Sequence, residues 1–94
     1  MITYKAMYKY CDDGVHAEVL DFPGAISCGQ SLEEARVNLA GALVDMAETN
    51  LLAVVPLPEP DPSLSDAESD IEEPIHILLT ATNKVTITPA QATP

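Results

Sequence analysis

Few residues in this chain could do chemistry, and their spacing decides what they could do. Asp12 and Asp13 are adjacent acids of the kind that can share a divalent cation. They stand directly before Gly14, and Asp-Gly is a turn dipeptide because glycine accepts the positive φ of tight hairpins. The pair is therefore assigned to a turn. Two-metal nucleases use a cluster of carboxylates, and Glu18, Glu33, Glu34 and Asp45 form no recognisable set of that kind. Cys11, Cys28, His16 and His76 are potential zinc ligands, but none has C-x-x-C or H-x-x-x-H spacing. Two histidines and no nucleophile elbow give no basis for a serine triad. The four glycines are scattered and make no phosphate loop. Tyr4, Tyr8 and Tyr10 share one face of an extended segment, where rings could stack on bases. No basic residue is interleaved with them on that face, so core packing or an interface is the expected use. The expectation is a non-enzymatic protein with no catalytic residue, metal or cofactor.

Charge points to the kind of partner. Among 94 residues, 4 are Lys or Arg and 15 are Asp or Glu, a formal net charge of −11. Binding a phosphate backbone needs clustered cations, so direct nucleic-acid binding is not expected, nor is binding to an anionic membrane. A basic protein partner is favoured through long-range steering. The acids are uneven. Residues 56–73 hold Glu59, Asp61, Asp66, Glu68, Asp70, Glu72 and Glu73 with no base, together with Pro56, Pro58, Pro60 and Pro62. This segment is expected to be a linker, whose acids either clasp a basic groove or merely solubilise a spacer. No apolar run approaches the roughly 20 residues that span a bilayer, and the first residues lack an export signal. Two cysteines are too few for a disulfide framework, so a cytoplasmic protein with reduced thiols is expected.

The elements that would carry these residues follow from periodicity. Residues 2–10 alternate, with Ile2, Tyr4, Ala6, Tyr8 and Tyr10 on one face: a strand. The Asp13-Gly14 turn leads into a second strand with Val15, Ala17 and Val19 inward. Asp21-Phe22-Pro23-Gly24 ends it, and Ala25–Gly29 makes a short third strand. Ser31 and Glu34 form a capping box that opens a helix, with Leu32, Ala35, Leu39, Leu43 and Met46 as its apolar stripe. Gly41 inside that helix costs about 1 kcal/mol against Ala, which a close neighbour across the helix face would explain. The helix is expected to end near Asn50. Residues 75–81 and 85–88 are β-rich around a turn at 82–84, and 89–94 reads as a tail. The fold class is α+β, a small antiparallel sheet in β-β-β-α-β order with one helix on one face. An extra C-terminal strand is left open. The domains are a core over 1–55, an acidic linker over 56–73, and strand residues 74–88 that complete either this sheet or that of a second copy. Such a unit leaves one sheet face open, so a homo-oligomer, a dimer through its edge or C-terminal strands, is expected.

The run Asp12–Leu39 resembles the core of the HicB family of type II antitoxins. Its motif positions here are Asp13, Gly14, Ala17, Asp21, Pro23, Gly24, Ser27, Gly29, Glu33, Glu34, Ala35 and Asn38. Leu20, Phe22, Ala25 and Ser31 stand where the family usually has Pro, Leu, Cys and Thr. The resemblance covers about residues 1–60, including the proline-rich stretch after the helix. It implies a partial RNase H-like fold and a partner, the HicA toxin, a small basic ribonuclease whose active site or RNA surface the antitoxin masks. Many relatives append a DNA-binding domain; after residue 73 this sequence has one Lys or Arg, Lys84, and no helical pattern, so direct DNA binding is not expected. The alternative is an orphan HicB-like interaction or regulatory module with no toxin.

Overall fold

The computed structural model describes residues 1–79 of the chain. The expected turn at 82–84, strand over 85–88 and tail over 89–94 lie outside the described residues. The rest forms β1 (Ile2–Cys11), β2 (Gly14–Val19), β3 (Ile26–Gly29), α1 (Leu32–Leu52) and β4 (Ile71–Ile77). The strands make one antiparallel sheet in the order β3-β2-β1-β4. The α+β expectation thus holds, with β4 beside β1 of the same chain.

The alternation in β1 sorts its side chains as anticipated. Tyr4, Ala6 and Tyr8 are buried under α1 with Val15, Ala17 and Val19 of β2, while Tyr10 at the end of the strand is exposed. Phe22 completes this core and meets the Tyr4 ring edge-on at 5.3 Å between centroids. From α1 the buried residues are Ala35, Leu39, Leu43 and Ala47, a strict four-residue repeat, with Leu32 and Met46 half-buried beside them. Ser31 Oγ accepts from the Glu34 amide at 3.1 Å, and the Glu34 carboxylate accepts from the Gln30 amide at 2.9 Å. That is the capping box, displaced by one residue on its return leg.

The helix ends in a Schellman motif: the Val55 amide donates to the Asn50 carbonyl at 2.8 Å and the Val54 amide to that of Leu51 at 3.1 Å. Val54 sits at φ 57, the left-handed position usually filled by glycine, where a β-branched residue is strained. Gly41 has no partner of the kind expected, since a Cβ there would meet nothing within 4 Å. Gly29 does have such a reason: a Cβ would lie 2.5 Å from the Ala35 amide nitrogen, so the end of β3 and the start of α1 approach too closely for any side chain.

The segment expected to be a linker is built into the fold. Its last three residues, Ile71–Glu73, belong to β4 rather than preceding it. Residues 58–70 run as a strap. The Tyr4 hydroxyl donates to the Pro58 carbonyl at 2.7 Å, Lys5 Nζ donates to the carbonyls of Pro62 and Leu64, and the Asp70 amide donates to the Tyr8 carbonyl at 2.8 Å. The sheet face away from α1 therefore has cover along β1, and Met7 is buried there at 2 % exposure.

Candidate partner-binding surface

Asp21 is the one buried charged residue among the described residues, and its position explains its use. It follows β2 where the chain turns, beside β1. One carboxylate oxygen accepts from the Lys5 amide at 2.8 Å and the other from the Asp61 amide at 2.9 Å. Two backbone donors from distant parts of the chain converge on one carboxylate, which ties the strap to the sheet. Sequence reasoning placed Asp21 in a turn motif; nothing local in the sequence points to Asp61 as its second partner.

The acids from Asp61 to Glu73, in the strap and the start of β4, are engaged within the chain. Glu72 accepts from the Asp66 amide at 2.9 Å and from the Ser65 hydroxyl. These bonds, the Asp66 amide first, hold its carboxyl below the usual carboxylate range. Asp61 is held low in the same way by the Ser63 hydroxyl and amide. Asp66 accepts from the Glu68 amide, and Asp70 from the Tyr10 amide at 2.7 Å. Glu73 takes Arg36 in a two-pronged pair at 3.0 and 2.7 Å, while that guanidinium lies over the Tyr8 ring. Burial, then the nearby Glu73 carboxylate, pushes the Tyr8 phenol up.

These pairs have an electrostatic consequence. Lys9 pairs with Glu68, Lys5 lies 4.0 Å from Glu72, and Arg36 pairs with Glu73. Every Lys and Arg among the described residues is thus matched by an acid of the strap or of β4. Asp12, Asp13, Glu33, Asp45, Glu48 and Glu59 are exposed and have no cationic partner among the described residues. Among the described side chains the unpaired charges are acidic, the condition for attracting a basic protein.

The motif residues hold the fold. Gly14, at φ 150, has the Gly29 carbonyl where a Cβ would point. Ala17 and Ala35 are fully buried, and Gly24 is at φ 95 beside Met46. Asn38 donates to the Cys28 carbonyl at 2.8 Å. Asp13, Pro23 and Glu33 are exposed on the surface, and Ser27 is half-buried in β3. The Asn38 bond occupies an acceptor at one sheet edge, and Pro74 removes a donor at the other. Both devices oppose strand addition. Cys11 and Cys28 are free and exposed, His16 contacts Glu18 at 3.3 Å, and His76 bonds Thr3. Among the described residues no group of three or more His, Cys, Asp or Glu is placed to hold a metal ion, and no helix is long and apolar enough to cross a membrane.

No protein-family model and no curated protein matches the chain. Two solved structures share its architecture. One is the crystal structure of the N-terminal domain of Burkholderia pseudomallei antitoxin HicB, at TM-score 0.64 and 18% identity, covering 83% of this chain and 100% of that one. The other is a chain of the HicA3 and HicB3 toxin-antitoxin complex, at TM-score 0.55 and 21% identity, covering 65% of this chain and 73% of that one. The four-stranded sheet with its single helix therefore has the HicB-like fold, that of the antitoxin N-terminal domain.

Proposed function

We propose that this chain is an antitoxin of the HicB kind, acting by binding rather than by turnover. Its partner is a small basic HicA-type ribonuclease, which it neutralises by masking the active site or the RNA-binding surface. The observation that carries this reading is a HicB-like fold whose described Lys and Arg side chains are all paired internally, so that its unpaired described side-chain charges are acidic. A solved structure of the same fold comes from a toxin-antitoxin complex. In this reading the acids of the strap and of β4 act mainly by cancelling Lys5, Lys9 and Arg36, and the unpaired acids supply the field that steers the toxin.

The test is calorimetric titration against a HicA-type toxin, with RNA cleavage measured in parallel. The expected result is tight binding at low salt, affinity that weakens as salt rises, and cleavage that falls with antitoxin occupancy. Absence of binding at low salt would end the antitoxin reading.

A further inference from the structure

The outer side of α1 is built against its own interest. A surface helix should be polar where it faces water, yet Val37 is 67 % exposed, Val44 48 % and Leu51 51 %. These residues recur every seven positions, so they line up along one side of a helix with 3.6 residues per turn. Gly41 and Glu48 fall between them, giving the four-three spacing of a helix-packing seam over 37, 41, 44, 48 and 51. Gly41 weakens the helix and has open space where its Cβ would be. Nothing among the described residues requires a glycine, whereas a second helix crossing there would come close to the backbone. Val54, just beyond the helix, keeps a strained left-handed backbone and an 89 % exposed apolar side chain where glycine would relieve the strain. Each choice destabilises the isolated chain, and together they suit a helix laid along α1.

Charge selects the occupant. Glu48 lies inside the seam and Glu33 is exposed on the same side, while Arg36 is held by Glu73. A second copy would bring Glu48 and a net charge of −11 against the same charges. We infer that the outer side of α1, from Val37 to Leu51, is the docking site for a cationic amphipathic helix of the protein partner, with Glu48 paired to one of its Lys or Arg residues. This rests on the basic toxin proposed above and names the surface that meets it.

Two variants test it in the full chain, with a catalytically inactivated HicA-type toxin as the probe. Val44→Asp places a charge in the seam, and Gly41→Gln fills the close approach while improving helix propensity. Both positions are exposed, and circular-dichroism melts report folding. The expected result is at least a tenfold loss of toxin affinity in each variant, with the Gly41→Gln chain melting higher than wild type. Glu68→Gln, on the strap side, should leave affinity within about threefold. If wild type binds and both seam variants bind equally well, the docking surface is wrong while the antitoxin reading stands. If wild type does not bind at all, both fail. If sedimentation shows a wild-type dimer that Val44→Asp dissociates, the occupant is a second copy and the inference is overturned.

Discussion

The sheet face beneath the strap and the outer side of α1 use their residues in opposite ways. Beneath the strap, groups that would otherwise be costly are satisfied by the same chain. Asp21 receives two amides, Glu72 receives an amide and a hydroxyl, and Lys5 and Lys9 each meet an acid. Along outer α1 the choices run the other way, with apolar side chains in water, a glycine in mid-helix and a valine in a glycine conformation. Surface charge density alone would assign the strap to the partner and the helix to the solvent. Local satisfaction reverses that assignment: a group already bonded internally has little left to offer, whereas a group unfavourable in isolation has something to gain from a neighbour.

The largest effect that could break this contrast lies at Asp21. Replacing it with Ala leaves the Lys5 and Asp61 amides without their acceptor in a partly buried setting. Bonds to a charged acceptor contribute about 1.5–3 kcal/mol, so Asp21→Ala should lower unfolding stability by about 2–3 kcal/mol in urea titration. Amide exchange should quicken first over residues 58–70. A loss below about 0.5 kcal/mol would mean that the strap is only loosely attached.

A smaller change, of opposite sign, is expected at the end of the helix. Val54→Gly removes a left-handed penalty of about 1–2 kcal/mol and adds the backbone entropy cost of glycine, about 0.5–1 kcal/mol. A net gain of up to about 1.5 kcal/mol should appear as a higher melting temperature. An unchanged or lower value would show that Val54 is not strained in the free chain, and would remove one of the supports for a site on α1.

How much of this was legible in the sequence follows from the range of each interaction. The β1–β2 hairpin, the Ser31 cap and the α1 stripe are set by residues at most four apart, or by simple alternation, and each is found where periodicity places it. The start of β4 was not legible, because Glu72 and Glu73 look like linker acids until their partners Asp66 and Arg36 are brought close. Proline spacing suggested an extended segment over 56–62. It could not reveal that Tyr4, Lys5 and Asp21, some 40 to 60 positions earlier, would hold that segment down. The apolar seam of α1 is present in the sequence as Val37, Val44 and Leu51, but the inward repeat of Ala35, Leu39, Leu43 and Ala47 alone satisfies the helix's need for a buried face, so the outer residues carry no signal of their own.

The smallest effect concerns acid. Glu72 and Asp61 are held below the usual carboxylate range by bonds that exist only when the strap is in place. The folded strap therefore binds fewer protons than the unfolded one. The stability these two groups lend is complete above their ordinary values of about 4, and is lost as pH falls through their lower folded values. Both are solvent-accessible, so the contribution is modest. Acidification also relieves the repulsion within a chain of net charge −11, which acts in the opposite direction. A variant separates the two. Glu72→Gln retains an acceptor for the Asp66 amide but cannot titrate, so it keeps nearly all of the repulsion and loses one proton-linked bond. Urea midpoints measured from pH 6 to pH 3 should fall less steeply for Glu72→Gln than for wild type. In wild type, exchange over the strap should rise before exchange in the middle of α1. Identical slopes would show that Glu72 does not clamp the strap, and the strap side would lose one of the bonds that distinguish it from the helix side.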